Sequence, residues 1–204
     1  DVQEKMIHSI AGLEQVQIVR FGYSIEHAVI VSTELKATLE SKRIHGLFFA
    51  GQVNGTTGYE EAAAQGIVAG INAALIVKGQ EPFILRRDES YIGVLIDDLI
   101  TKGTEEPYRM FTSRVEYRLI VREDNADWRL CEYARRFGLR SEEYYQKIQQ
   151  KYAAIQKTIH CLRETRIRSG TELDDVLDKN KSAPLRNVTT LEDILKRPEI
   201  SFDM

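Results

Sequence analysis

The feature that most constrains this chain lies between residues 44 and 77. An apolar run, Ile44-His45-Gly46-Leu47-Phe48-Phe49-Ala50, of the sort found in buried parallel strands, leads straight into glycines. After the loop, residues 58–77 carry small residues Ala62, Gly66, Ala69 and Ala73 at spacings of three and four, beside Ile67, Ile71 and Leu75. That pattern predicts a helix able to approach a sheet closely. Each internal glycine costs about 1 kcal/mol of helix propensity relative to alanine, so Gly66 and Gly70 are expected to have a packing reason. Lys78-Gly79-Gln80-Glu81-Pro82 ends the helix with a glycine cap and a proline stop, and the domain boundary is placed after residue 80.

Strand, glycine loop and helix together make a ligand-binding arrangement. Glycines allow positive φ and a close backbone approach, while the first-turn N–H groups and the helix dipole favour partial negative charge. Glu60 and Glu61 at the helix start would repel a bare phosphate, which favours a flavin edge over a nucleoside triphosphate. The loop is neither GxGxxG nor a Walker motif, and tight turns use the same residues.

Upstream, Val16, Ile18 and Ile25 alternate with polar neighbours and Val29-Ile30-Val31 is continuous, so residues 15–31 are expected to form strands, followed by a short helix or turn over 35–41. Beyond Pro82 the period becomes helical. Asp88 or Ser90 is the N-cap of a helix through Tyr91, Leu95 and Leu99, closed by Gly103. Ser113 with Glu116 suggests a capping box for a helix presenting Arg114, Arg118 and Arg122, with a strand as the rival because Val115, Tyr117, Leu119 and Val121 alternate. Asp124 caps a helix ending at Gly138. After Ser141 the positions Tyr145, Ile148, Tyr152, Ile155, Ile159 and Leu162 form a helix-pair seam, either a bundle core or a surface for a partner helix. A short helix over 191–196 starts at Thr190; the role of 165–204 is otherwise not legible.

The formal net charge of −3 argues against a uniformly basic nucleic-acid sleeve but leaves room for a local patch among the 28 Lys and Arg. No apolar stretch is expected to reach the roughly 20 residues that span a bilayer, and the first residues are no signal peptide, so a cytoplasmic address is the default and no membrane partner is expected. Cys131 and Cys161 show no CxxC spacing and are taken as small core residues rather than nucleophiles; no metal site is expected. Beginning on Asp1 and ending on Ser201-Phe202-Asp203-Met204, the chain suggests a piece of a longer protein.

The complete string from Gly46 to Gly66 resembles the second flavin-contacting segment of the MnmG (GidA) family. Resemblance continues over 91–99, in Gly103-Thr104-Glu105-Glu106-Pro107-Tyr108-Arg109-Met110-Phe111-Thr112-Ser113-Arg114, and through Arg118 and 122–127, close over the first two thirds and looser after. It implies an α/β part followed by an α part: residues 1–80 as the C-terminal portion of an FAD-binding, Rossmann-like domain, and 81–204 as an incomplete helical domain that meets tRNA or a partner. Many flavoproteins hold the ribityl chain with an Asp after this glycine, where the family pattern and this chain have Gln52. An amide still donates and accepts. Gln52 is thus the first choice for an FAD contact, with Gly51, Asn54, Thr57, Gly58 and Tyr59 around it; the alternative is that Gln52 and Asn54 only close the turn.

What the resemblance implies of activity is modification of C5 of the wobble uridine in tRNA, building aminomethyl or carboxymethylaminomethyl groups with an MnmE-type GTPase. It further implies FAD reduced by NADH, methylene-tetrahydrofolate as the one-carbon source, and a homodimer. The GxGxxG that cradles the FAD pyrophosphate, the NAD-binding insertion and the family's upstream cysteines are absent, so no catalytic nucleophile is assigned and this chain alone is expected to turn nothing over. Arg109, Arg114, Arg118 and Arg122 are candidates for tRNA phosphates, or else pair with Glu116, Glu123, Asp124 and Asp127. A non-catalytic tRNA- or protein-binding module is the second hypothesis. A folate- and FAD-dependent tRNA uridine methyltransferase ranks below, because it does not match residues 54–61 or the run after Tyr91.

Overall fold

The computed structural model describes residues 2–23 and 26–203, which are mainly helical with a small two-stranded sheet. Two compact units, Asp1–Ile120 and Val121–Met204, divide the chain. Residues 81–120, which the proline stop assigns to the helical part, fall in the first unit.

Helix α1 spans Val2–His8, α2 Tyr59–Val77 and α3 Tyr91–Lys102. Gly58 is the N-cap of α2, and Gly79 at φ 60° follows its C-cap Lys78. The buried face of α2 is Glu61, Gln65, Val68, Ala69, Asn72 and Leu75, a stripe that is half polar. Of its polar members, Asn72 clasps Phe83, donating from Nδ2 to the carbonyl and accepting from the N–H through Oδ1, both at 2.8 Å. Of the expected stripe, Ala69 and Leu75 are packed, while Gly66 and Ile67 are exposed. Nothing lies within 4 Å of a Cβ built at Gly66 or Gly70, so their packing reason is not met within the described residues.

Helix α3 is set as expected by Ser90, whose Oγ accepts from Gly93 N at 2.9 Å, and closes at Gly103 with φ 69°. A Cβ at Gly93 would stand 2.1 Å from the Arg86 carbonyl oxygen, so only glycine lets the chain entering α3 pass this close. Leu95 and Leu99 pack with Tyr108, and Ser32 Oγ donates to Leu99 O at 2.8 Å. Asp98, with its side chain 3% exposed, receives Arg87 at 2.9 Å, Lys102 at 2.7 Å and the Tyr108 hydroxyl at 2.9 Å. Burial opposes its ionisation most strongly, yet those donors outweigh it and hold the carboxyl below the usual aspartate range. Arg87 also grips Glu116 bidentately, at 2.6 and 2.9 Å.

Several expectations are corrected. Residues 15–23 and 26–31 form no strand; Val19 is 99% and Tyr23 81% exposed, and Ile25 lies outside the described residues. Over 35–48 there are only isolated bridges, Leu35 to Ser41 and Glu40 to Phe48, around a turn that puts the buried Leu39 at φ 66°. The physical reason is common to both stretches: a strand exists through the ladder beside it, and no neighbouring strands are supplied here by the described residues. Residues 112–120 form a 3-10 turn, Thr112–Arg114, and further turns, neither the helix nor the strand. Glu116 is drawn to Arg87 rather than back to a cap, and Arg114, Arg118 and Arg122 share no helix face. Finally, α2 at 19 residues is long and apolar enough by composition to cross a membrane, contrary to expectation. Its buried Glu61, Gln65 and Asn72 are those of a helix packed on protein, a test that length alone does not apply.

In the second unit, α4 (Ala126–Arg136), α5 (Glu142–Glu164), α6 (Leu173–Lys179) and α7 (Leu191–Leu195) surround β1 (Arg166–Ile167) paired antiparallel with β2 (Thr189–Thr190). Asp124 is no helix cap: it lies in the 3-10 turn Glu123–Asn125 before α4 and pairs with Arg122. Ser141 and Thr190 do cap α5 and α7. The seam on α5 meets α4 within this unit, where Trp128 stacks on Tyr152 at 4.6 Å and Asp127 receives Lys151 at 2.6 Å and the Tyr152 hydroxyl at 2.8 Å. Leu177, Leu185 and Ile194 make a separate small core under β1 and β2, one that period alone did not reveal. Cys131 is buried as expected, whereas Cys161 is exposed, on the outer face of α5.

Candidate functional site

The glycine loop folds as a 3-10 turn, Gly51–Asn54, with Gly51 at φ 85° and Gly55 at φ 82°, conformations that glycine adopts without strain. Gly55 is required twice over, since a Cβ there would stand 2.5 Å from Thr104 Oγ1. One side chain fixes the loop from beneath. Gln65 of α2, 0% exposed, accepts at Oε1 from Gly51 N (3.2 Å) and Asn54 Nδ2 (2.8 Å), and its Nε2 donates to Thr56 Oγ1 at 3.0 Å. Asn54 is equally buried and donates also to Phe49 O at 2.9 Å.

The far side of the loop is stitched to residues 108–110. Tyr108 N donates to Gly55 O at 2.8 Å within a parallel bridge between Thr56 and Tyr108. Glu61, 3% exposed, accepts at Oε1 from Met110 N at 2.8 Å, with Arg109 Nε at 3.4 Å. Burial is the largest influence on Glu61 and pushes its carboxyl up, but the Met110 N–H and Arg109 leave it net below the ordinary glutamate value. Its Oε2 lies over the start of α2, 1.6 Å from where a Cβ of Gly58 would be, and that explains the glycine at the cap.

Above this framework is a pocket of about 200 Å³ lined by His27, Gln52, Gly55, Thr57, Thr104 and Glu105 among others. Gln52 is exposed, and its Nε2 lies 2.9 Å from His27 Nε2. The His27 segment is held alongside by Ile30 N donating to Val53 O at 2.8 Å. A wider apolar groove of about 730 Å³ runs between α2 and α3, with Glu61 and Arg109 at its edge.

Of the residues singled out from sequence, Gln52 and Thr57 line the pocket. Gly51 and Gly58 shape the backbone behind it. Asn54 is turned inward, and Tyr59 is 93% exposed. Gln65, Glu61, Thr56 and His27 were missed. Glu61 and Gln65 carry a signal, polar residues one helical turn apart on α2, while Thr56 gives none beyond its place in the loop and His27 lies 25 residues from Gln52.

The four arginines are all exposed and each has a partner in its own unit. Arg109 has Glu61; Arg114 lies over the Tyr108 ring at 4.5 Å; the Arg118 guanidinium donates to Val115 O at 3.4 Å; Arg122 pairs with Asp124. Burial pushes the Cys131 thiol up, the opposite of an activated nucleophile.

Two family models match the chain: "Glucose inhibited division protein A" over residues 1–81, and "tRNA modifying enzyme MnmG/GidA C-terminal helical domain" over 142–204. The tRNA uridine 5-carboxymethylaminomethyl modification enzyme MnmG of Thermodesulfovibrio yellowstonii is 53% identical over 203 residues, covering 100% of this chain and 32% of that protein. The enzyme of the same name from Caldicellulosiruptor saccharolyticus is 54% identical with the same coverage. Among solved structures, GidA of Aquifex aeolicus superimposes with a TM-score of 0.71 at 50% identity, over 91% of this chain and 34% of that one. The chain therefore spans about a third of the length of the curated relatives it matches.

Proposed function

The chain belongs to the MnmG (GidA) family, and from that premise we propose that it is part of an FAD-dependent enzyme modifying C5 of the wobble uridine of tRNA. The group built there is an aminomethyl or carboxymethylaminomethyl group, made with an MnmE-type GTPase partner, by a cytoplasmic homodimer. The observation that carries the reading is the convergence of Gln52, Gly55 and Thr57 on one pocket, over a loop locked by Gln65, in a chain this similar to MnmG.

The residues present fit one edge of a flavin. The pocket, at about 200 Å³, falls below the roughly 300–1,000 Å³ of sites that enclose a whole ligand, and with no GxGxxG in this chain the pyrophosphate cradle is assigned to other parts of the protein. The same parts supply the strands beside residues 44–50 that complete a Rossmann-like domain. Gln52 offers an amide to the ring or ribityl chain, Gly51 and Gly55 keep side chains out of its way, and the positive end of α2 favours partial negative charge. FAD, reduced by NADH, supplies the redox chemistry, and methylene-tetrahydrofolate the carbon. This chain orients and excludes; the nucleophile lies elsewhere, and the chain alone is inactive.

In the intact protein, Gln52→Ala is expected to weaken FAD binding about ten-fold, the worth of one good hydrogen bond, as read from quenching of flavin fluorescence. An unchanged Kd would leave Gln52 as a turn-closing residue only. Arg109, Arg114, Arg118 and Arg122 serve as phosphate contacts to tRNA. Arg118 is the cleanest test because no ion pair is lost with it. Arg118→Glu is expected to lower tRNA affinity and flatten the log–log salt dependence by about 0.7–0.9 or more; an unaltered slope assigns Arg118 to the solvated surface.

A further inference from the structure

We propose that His27 is a positioning residue that fixes which way the Gln52 amide faces the cofactor. The inference rests on the reading of Gln52 as a flavin contact and adds to it a residue that neither the loop motif nor the family resemblance singled out. An amide side chain has a donor end and an acceptor end of nearly equal size, so an unanchored glutamine presents either to a ligand. Gln52 is exposed, and its neighbours in the turn do not fix it: Asn54 is committed to Gln65 and Phe49, and Gly51 N to Gln65. What meets Gln52 is His27, nitrogen to nitrogen at 2.9 Å.

Two nitrogens at that distance form a hydrogen bond only if one of them lacks a hydrogen. The amide nitrogen always carries two, so the contact as placed uses the His27 tautomer that carries its proton on Nδ1 and accepts at Nε2. This pins the amide nitrogen towards His27 and leaves Oε1 as the acceptor turned to the ligand. Flavins offer matching donors in the ring imide and the ribityl hydroxyls. The segment that carries His27 is tied to the loop through Ile30 N on Val53 O, and both side chains line the same pocket.

A double-mutant cycle in the intact protein tests this, with FAD as the probe, its Kd read by flavin fluorescence and the position of its visible absorbance band recorded for each variant. His27→Ala alone is expected to weaken FAD about five-fold and to move the band, without lowering the melting temperature because His27 is exposed. In a Gln52→Ala background the same substitution is expected to change Kd less than two-fold. Additive losses in the double variant, or a His27→Ala protein with wild-type Kd and band, overturn the role of His27 while leaving Gln52 a flavin contact. A Gln52→Ala protein with wild-type Kd and band overturns both readings.

Discussion

Gln65→Leu in the intact protein is expected to lower its FAD affinity about 100-fold, the largest functional effect of any single substitution in this chain. Leucine matches the buried volume closely but has no polar atoms. It leaves the Gly51 N–H without its acceptor, deprives Asn54 of one of two, and removes the donor to Thr56 Oγ1, all in a region where Gln65 and Asn54 are 0% exposed. Each orphaned buried group costs about 1–3 kcal/mol, and with Asn54 still holding Phe49 O the sum is about 3 kcal/mol. That penalty falls on one loop conformer. If the competent conformer is populated about 100-fold less, the apparent Kd rises by the same factor. Flavin content of the purified variant, read by absorbance, and titration with FAD check it; full retention of flavin at wild-type affinity would show that the loop holds its shape without Gln65.

The second large effect is on stability. Asp98→Ala is expected to cost about 3 kcal/mol, a large share of the roughly 5–15 kcal/mol that keeps a domain folded. Breaking a buried ion pair usually costs about 3–5 kcal/mol. The lower end applies because Arg87 keeps Glu116 and Asp97, and Lys102 is free to turn to water. What loses most is the Tyr108 hydroxyl, on a residue 5% exposed, which is left with only the weak acceptor Met110 Sδ at 3.6 Å, at the point where residues 108–110 are stitched to the glycine loop. Urea denaturation of the intact protein would show the midpoint fall with little change in slope. The same network has a pH signature. Asp98 and Glu116 are both held below their ordinary values, Glu116 to about 2 by its bonds from Arg87. Their stabilisation is complete above the unfolded-state values near pH 4–5 and is lost as pH falls towards about 2. Asp98→Ala should therefore show a shallower loss of stability with acid than the wild type.

How much of this was legible in the sequence depends on how local each determinant is. The starts of α3, α5 and α7 were readable because the hydroxyls of Ser90, Ser141 and Thr190 accept from N–H groups within the next turn, and α2 was readable from the glycines at its two ends. The loop was readable because glycine has few reasons to recur beside a long helix. Residues 15–50 were not, because an alternating run becomes a strand only beside other strands. Residues 112–122 misled for a related reason: the capping glutamate Glu116 is claimed by Arg87, 29 residues earlier. The buried face of α2 was read in part, through Ala69 and Leu75, since a search for apolar and small residues passes over Glu61, Gln65 and Asn72. Those are the residues that shape the loop. Of the residues that the family resemblance singled out as FAD contacts, Gln52 lines the pocket and Asn54 points into the protein.

The most direct measurement is a structure of the intact, flavin-loaded protein, reading the distance from the Gln52 side chain to the cofactor. The account predicts a Gln52 amide atom within about 3 Å of a polar flavin atom, with the start of α2 facing the same group. A flavin bound with its nearest atom well beyond hydrogen-bond reach of Gln52, and away from the loop of Gly51 to Gly58, would contradict it.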